Sequence, residues 1–160
     1  MRNKWAYKLA SLSEADKVWL AAAIDFEGCI YVGEAQSHRS PANHPSFRAR
    51  ISVGVTDKIL IDRITQLTNN LGNIYHRVRK NGHLAYRQYK DVWQWSICDI
   101  QVDAFLDVIY PYLVAKKRQA DLVRAFRSDV KEFRTCANRI LPEERIKERR
   151  LMCDTLKKLR

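Results

Sequence analysis

Two acidic residues in the last turn of a predicted helix are the first candidates for chemistry. The helix is predicted to begin with a cap at Ser13 and to end at Gly28, which places Asp25 and Glu27 near its C-terminus. A carboxylate there gains nothing from the helix dipole, so Glu27 is better explained as a metal ligand than as a stabilising residue. Mg²⁺ prefers carboxylate and water oxygens. The alternatives are an ordinary solvated acid for Glu27 and a structural role, capping or packing the helix end, for Asp25.

Arginines that alternate with apolar residues are the second candidates. The segment from Phe47 to Val55 alternates, so Arg48 and Arg50 lie on the face of a strand opposite to its apolar side chains. A later strand, Asn73 to Lys80, repeats the pattern with Tyr75, Arg77 and Arg79 on one face. Such faces are typical of a nucleic-acid-binding platform, and a solvated sheet face is the alternative.

The charge balance of the chain favours a polyanionic partner. Among 160 residues, 29 Lys and Arg oppose 18 Asp and Glu, giving a formal net charge of +11. Nucleic acid fits this charge. A membrane surface is the rival partner, but it needs a basic amphipathic helix or a lipid anchor. No apolar run of 18 residues and no apolar signal segment are present, so we expect no membrane partner.

The four cysteines do not form a metal-binding pattern. They are Cys29, Cys98, Cys136 and Cys153, no pair of them has CxxC spacing, and they do not combine with the histidines into a zinc site. Free thiols indicate a reducing compartment. We therefore expect an intracellular location, without a distinction between cytoplasm, nucleoid and organelle.

The remaining patterns complete an α+β fold in the order α-β-β-α-β-β-α, with extra C-terminal helices and a four-stranded, mostly antiparallel sheet. The other predicted strands are Cys29–Glu34 and one that ends in Val92–Ile97, after a turn at Asn81-Gly82. The other predicted helices run from Thr56 or Asp57 to near Gly72, from Ile100 to Tyr110, from Lys116 to about Phe133, and onward from Pro142. We expect one domain over residues 1–160, with a core at about 13–133 and a helical extension at about 134–160.

The end of the first helix carries a recognisable motif. It reads Leu-Ala-Ala-Ala-Ile-Asp-Phe-Glu-Gly over residues 20–28, which resembles the LAGLIDADG signature of homing endonucleases. Leu20, Ala21, Ile24, Asp25 and Gly28 match the motif; Ala22 replaces Gly, Ala23 replaces Leu and Glu27 replaces the second Asp. The order of elements is similar to that family over most of the chain. The resemblance implies the LAGLIDADG endonuclease fold with a DNA-binding sheet.

Two further segments support this resemblance. Residues 110–123, Tyr-Pro-Tyr-Leu-Val-Ala-Lys-Lys-Arg-Gln-Ala-Asp-Leu-Val, resemble a family stretch that supplies a lysine beside the scissile phosphate. Lys116 is the best match for it and Lys117 is one step away; a solvated helix face is the alternative. Residues 55–58 resemble a stretch in which a polar residue at the place of Asp57 organises water around the metal. Asp57 could instead be only a helix N-cap.

The resemblance implies a site-specific homing endonuclease that cuts both strands of duplex DNA. Its catalytic residues would be Glu27, Lys116 and Asp57, and its metal ligands Glu27 and the backbone carbonyl of Phe26. Mg²⁺ is the expected cofactor, with Mn²⁺ as a substitute and Ca²⁺ supporting binding without cleavage. The expected DNA contacts are Tyr31, Arg48, Arg50, Ser52, Tyr75, Arg77, Arg79, Lys90 and Gln94.

A single copy of the motif implies a homodimer on a near-palindromic site. The expected contact between the two copies is formed by Leu20, Ala21, Ala22 and Ile24, because small side chains let two helices approach closely. Two other functions stay open. One is a catalytically weak or inactive LAGLIDADG DNA-binding protein or intron maturase, which the acid at Glu27 speaks against. The other is a basic RNA-binding module, which explains the charge but not the motif.

Overall fold

Six α-helices and four strands are found in the described parts of the chain. The computed structural model describes residues 4–36, 45–78, 90–134 and 141–159. The helices are α1 (Lys4–Ala10), α2 (Glu14–Glu27), α3 (Lys58–Leu67), α4 (Ile100–Ile109), α5 (Lys117–Arg134) and α6 (Glu143–Lys158), with a 3₁₀ turn at Tyr110–Tyr112. The strands are β1 (Gly28–Gln36), β2 (Pro45–Val55), β3 (Asn73–Arg77) and β4 (Val92–Cys98).

The strands form one antiparallel sheet in the order β1-β2-β4-β3. Alternation along β2 gives it one buried face, with Ala49, Ile51 and Val53 inaccessible to solvent. Trp95 and Ile97 of β4 are buried on the same side, as the sequence predicts. The predicted α+β architecture with a four-stranded antiparallel sheet is confirmed.

The helices cover the apolar face of the sheet and form a two-layer structure with it. Leu20 and Ile24 of α2, Phe105 of α4 and Phe126 of α5 are fully buried in one core with the sheet residues. Each such side chain contributes roughly 1.5–3 kcal/mol relative to an exposed one. The only polar group of Trp95 is satisfied, because its indole N–H donates to the Leu71 carbonyl at 2.7 Å.

α2 passes directly into β1 without a loop. Ser13 caps its start, where the hydroxyl accepts a hydrogen bond from the Asp16 amide at 3.2 Å. At its end, a Cβ on Gly28 would lie only 2.7 Å from the Ile24 carbonyl oxygen. The last letter of the motif is therefore a glycine because no other residue fits this sharp transition.

Several element bounds differ from the predictions for local reasons. α3 ends at Leu67 rather than near Gly72, because Asn69 and Asn70 adopt left-handed φ angles of 50° and 57° that unwind the chain. β3 ends at Arg77 rather than at Lys80. The predicted turn at Asn81-Gly82, Arg79 and Cys136 lie outside the described residues.

The two terminal helices pack onto the same core. α1 has no counterpart in the predictions, and its Leu9 is fully buried. α6 adds Ile146, Cys153 and Leu156 to the core beside β1. No helix in the described ranges is long and apolar enough to cross a lipid bilayer.

Candidate active site and nucleic-acid interface

Glu27 lies exposed at the end of α2, beside the point where β2 ends. Gly28 pairs with Val53, so the helix end is brought next to the residues that follow β2. Glu27, Gly54, Thr56 and Asp57 consequently line one open cleft. Within the described part of the chain, the Glu27 carboxylate has no hydrogen-bond or ion-pair partner. It is therefore available to a ligand from outside the chain.

Asp57 has a structural role and also borders this cleft. One of its carboxylate oxygens accepts a hydrogen bond from the Ile59 amide at 2.9 Å, so it is the N-cap of α3. The residue remains exposed. Its second carboxylate oxygen can therefore bind water or a cation on the cleft side while the cap holds the side chain in place.

Asp25 joins the motif helix to the segment that precedes α5. Its carboxylate accepts hydrogen bonds from the Val114 amide at 2.7 Å and the Lys116 amide at 2.9 Å. The Lys116 ammonium in turn donates to the Asp25 backbone carbonyl. Lys116 thus lies at the C-terminal end of α2, where a positive charge is favourable. The structural role expected for Asp25 agrees with these contacts.

The neighbouring Lys117 points to a different partner. Its ammonium lies 5.1 Å from the centre of the Tyr110 ring, and the Arg124 guanidinium lies 4.6 Å from the same ring. The Tyr110 hydroxyl donates to Asp121 at 2.6 Å, and this hydrogen bond raises the pKa of Tyr110 above its ordinary value. Of the two lysines considered from sequence, Lys116 is therefore the one at the end of the motif helix.

The oxygen donors at this cleft suit a hard divalent cation. Glu27 and Asp57 offer carboxylates there. The carbonyl of Phe26, the residue before Glu27, lies so close to the end of α2 that no later amide of the helix can reach it. Among the residues that the structure describes, no three His, Cys, Asp or Glu side chains are grouped closely enough to hold a metal.

The solvent-facing side of the sheet is polar and basic. The register places Tyr31 opposite Arg50, Ser52 opposite Ser96, and Tyr75 opposite Gln94. The described positions on this side include Cys29, Tyr31, Gly33, Ser46, Arg48, Arg50, Ser52, Gly54, Asn73, Tyr75, Arg77, Val92, Gln94, Ser96 and Cys98. None of them is acidic. Lys90 is exposed two residues before β4, and Arg79 lies outside the described residues.

Positive charges are distributed unevenly between the sheet and the helices. Arg48, Arg50 and Arg77 have no acidic partner among the described residues. In the helical layer, by contrast, most of the described arginines are paired. The ion pairs include Arg127 with Asp103 at 2.9 Å, Arg149 with Asp129 at 2.6 Å and Arg150 with Glu34 at 2.8 Å. Positive charge without an acidic partner is thus available on the sheet face, where it can bind a polyanion.

Comparison with known proteins gives matches at the level of structure. No protein-family profile and no curated protein matches the sequence. The homing endonuclease I-CvuI, in complex with a DNA target and magnesium, matches with a TM-score of 0.69 and 19% identity, over 92% of this chain and 83% of that chain. The archaeal intron-encoded homing endonuclease I-Vdi141I, complexed with DNA, matches with a TM-score of 0.65 and 14% identity, over 92% of this chain and 85% of that chain. The LAGLIDADG homing endonuclease I-LtrWI, bound to target DNA, matches with a TM-score of 0.61 and 21% identity, over 91% of this chain and 45% of that chain.

The chain has the LAGLIDADG homing endonuclease fold. The resemblance inferred from residues 20–28 is confirmed at this level, and α2 is the helix that carries the motif.

The residues exposed on the LAGLIDADG helix differ from those predicted to contact a second copy of the chain. Leu20, Ala21 and Ile24 are at most 1% exposed and pack into the core of their own chain, so they cannot form the expected contact with a second copy. Of the predicted contact residues, only Ala22 is exposed. That part of the prediction was wrong because the helix buries its Leu20–Ile24 side.

The exposed side instead carries an apolar stripe. Val18, Ala22 and Phe26 follow one another at four-residue intervals and are all exposed. Phe26 is 83% exposed and replaces the second Ala of the LAGLIDADG motif. Val114, beside Asp25, is 85% exposed. The four-residue spacing was visible in the sequence, but Phe26 was considered only for its carbonyl.

Proposed function

We propose that this protein is a divalent-metal-dependent DNA endonuclease that acts as a homodimer on a near-palindromic duplex. The observation that carries the proposal is the position of Glu27. This carboxylate has no partner in the described chain and lies in a cleft at the end of β2, whose solvent-facing side carries arginines and no acid. A DNA strand held on that face would bring its phosphates towards the acid.

Duplex DNA is the substrate that the sheet fits best. The major groove admits a two-stranded β-ribbon, and β2 with β4 presents Arg50, Ser52 and Gln94 along such a ribbon. Arginines without acidic partners bind phosphates and base edges. The structural neighbours I-CvuI, I-Vdi141I and I-LtrWI are each bound to DNA, which supports the same partner here.

The residues at the helix end have the chemistry that phosphodiester hydrolysis requires. Glu27 and the Phe26 carbonyl would hold the metal ion, and Mg²⁺ in such a site stabilises negative charge on phosphate and activates water. Asp57, fixed by its capping hydrogen bond, would orient water on the cleft side. Lys116 would donate to a phosphate oxygen as negative charge develops on it. Neighbouring structures solved with magnesium and with calcium support a divalent ion.

A second copy of the chain would complete the site. One chain contributes a single carboxylate without a partner, that of Glu27, at the end of α2. The exposed stripe of Val18, Ala22 and Phe26 offers an apolar surface to a partner helix. The match to I-LtrWI covers 91% of this chain but 45% of that one, so I-LtrWI has room for a second unit of this size. Two copies related by a two-fold axis would bind a near-palindromic site and bring both Glu27 residues together.

The proposal is tested by selecting duplexes that the protein binds from a randomised pool and then measuring their cleavage. Selection in Ca²⁺ should enrich a near-palindromic site, and the purified protein should cut both strands of it in Mg²⁺ but not in EDTA. Sedimentation should give a complex of two chains per duplex. Binding without any cleavage in Mg²⁺ or Mn²⁺ would favour the inactive DNA-binding protein or the maturase. Preference for RNA or for single strands would contradict the proposal.

A further inference from the structure

Three side chains on the two central strands of the sheet face, β2 and β4, carry donor patterns that distinguish one base pair from another. Arg48 and Arg50 lie on β2, and Gln94 lies on β4. An arginine forms two hydrogen bonds with the O6 and N7 atoms of guanine, and a glutamine pairs in the same way with adenine. Serine and cysteine, which occupy the positions between them, are too short to reach as far. On the central strands, these three residues are thus the strongest candidates for reading a sequence, whereas Asn73 and Arg77 lie on the edge strand β3.

Their donor groups are not used inside the chain. Neither arginine has a hydrogen bond or an ion pair with a described residue, and both are exposed. Gln94 lies between Gly54 and Tyr75 on the neighbouring strands. A Cβ on Gly54 would meet no atom within 4 Å, so the space beside the Gln94 side chain is open to a base edge.

The sheet register fixes the order of these residues relative to Glu27. Glu27 precedes Gly28, which pairs with Val53, so the Glu27 cleft lies at the C-terminal end of β2. Gln94 pairs with Gly54 at that same end. Arg50 and then Arg48 follow in the direction away from the cleft. Measured along β2 from Gly54, Arg50 lies about 14 Å away and Arg48 about 20 Å away, at about 3.4 Å per residue.

We infer that this protein reads each half of its DNA site in a fixed order: an adenine by Gln94 nearest the centre, a guanine by Arg50 further out, and a second guanine by Arg48 beyond it. The inference rests on the proposed function, because the centre of the site is the two-fold axis of the homodimer. Arg48 and Arg50 lie about 6.7 Å apart along β2, and base pairs are stacked at about 3.4 Å. The two guanine positions are therefore no more than about two base pairs apart.

The experiment is duplex selection with single variants, carried out in Ca²⁺ so that cleavage plays no part. Arg50→Gln should change one position in each half-site from guanine to adenine, because glutamine supplies the adenine pattern. Arg48→Gln should make the same change at a different position, at most about two base pairs further from the centre. Gln94→Ala should lower the preference at least tenfold at a position nearer the centre than either.

Arg145→Gln is the matched control, since it removes the same charge from α6, where Arg145 pairs with Asp129 away from the sheet face. It should leave every position unchanged. All four variants should melt at the wild-type temperature, because the altered side chains are exposed or half-buried.

The outcomes separate the inference from the proposed function. If the wild-type protein enriches no duplex, both fail. If it enriches a near-palindromic duplex but the glutamine variants only weaken binding, or alter positions in the reverse order from the centre, the inference fails and the proposed function stands. A base change at the expected positions and in the expected order would support both.

Discussion

Asp25 shows how a single residue positions the chemistry of its neighbours. It lies two residues before Glu27, yet its carboxylate is occupied by two backbone amides of the segment before α5. Through them it holds Lys116 at the end of the motif helix. In the proposed function Asp25 is therefore a positioning residue, whereas Glu27, which has no partner among the described residues, is the acid proposed to hold the metal.

Asp25→Asn should slow cleavage without abolishing DNA binding. An asparagine oxygen can accept one of the two amide hydrogens, but its NH₂ group faces the other, which costs about 1–3 kcal/mol locally. We expect kcat to fall roughly 10- to 100-fold at that cost, while the affinity for the selected duplex changes little. Single-turnover cleavage beside a binding titration gives both numbers. Asp16→Asn, in the first turn of the same helix, is the control. Cleavage at the wild-type rate by Asp25→Asn would show that the position of Lys116 does not depend on Asp25.

At the scale of elements, the LAGLIDADG helix has two faces that its sequence does not distinguish. Leu20 to Ile24 are all apolar, so no periodic change from apolar to polar indicates which side is buried. The structure places Leu20, Ala21 and Ile24 in the core and leaves Val18, Ala22 and Phe26 outside. Long-range packing, and not local pattern, decides this orientation.

Phe26→Ala should weaken association of the two chains. If the exposed stripe forms the contact between copies, each phenylalanine loses roughly 1.5–3 kcal/mol of burial, and two are lost per dimer. The dissociation constant measured by sedimentation should rise at least tenfold. Leu151→Ala on α6, where the side chain is 70% exposed, is the matched control and should change nothing. An unchanged dissociation constant for Phe26→Ala would place the contact on another surface.

The packing of α4 against α5 gives a separate stability prediction. Arg127 is 3% exposed and donates two hydrogen bonds to Asp103. Arg127→Ala should lower the free energy of unfolding by on the order of 3 kcal/mol, since it leaves a largely buried carboxylate without its main partner. Arg124→Ala removes an exposed pair with Asp107 and should cost less than about 1 kcal/mol. Denaturant titration compares the two, and equal losses would contradict the difference in burial.

Local patterns in the sequence were sufficient for most elements but not for the contacts between them. The alternation of β2 predicted both its core face and its arginine face, and the cap predicted at Ser13 is confirmed. Of the two caps predicted for α3, Thr56 or Asp57, the structure has Asp57. α1 was missed because its seven residues become helical in the context of a core that buries Leu9. The bonds from Asp25 to the segment at Val114 join residues 89 positions apart, and no local pattern reports such a contact.

At the scale of the whole molecule, charge is sorted between the two layers. Acids pair with arginines among the helices, so the sheet face retains unpaired positive charge. Among the described residues, this sorting leaves Arg48, Arg50 and Arg77 without acidic partners on one surface. It also predicts that binding depends steeply on salt, because phosphate contacts release counterions.

Lys90→Ala should reduce that salt dependence without changing base preference. Lys90 is exposed near the start of β4 and, as a flexible point charge, is suited to a phosphate rather than to a base. Losing one phosphate contact per chain should lower the slope of log K against log salt by about 1.8 for a dimer. Fluorescence anisotropy at several salt concentrations measures the slope. A wild-type slope would show that Lys90 does not contact DNA.

Cleavage of the selected duplex by Glu27→Gln tests most directly whether this protein is a nuclease whose metal ion is held by Glu27. The substitution keeps the size of the side chain and removes the charge that would hold Mg²⁺. Cleavage is followed at protein concentrations at which every variant saturates the duplex. Glu144→Gln, which changes an exposed acid on α6, is the control. We predict that Glu27→Gln remains dimeric, binds the site with wild-type affinity and cuts neither strand. Cleavage at a rate near that of the wild type would contradict the assignment of Glu27 as the metal-binding acid.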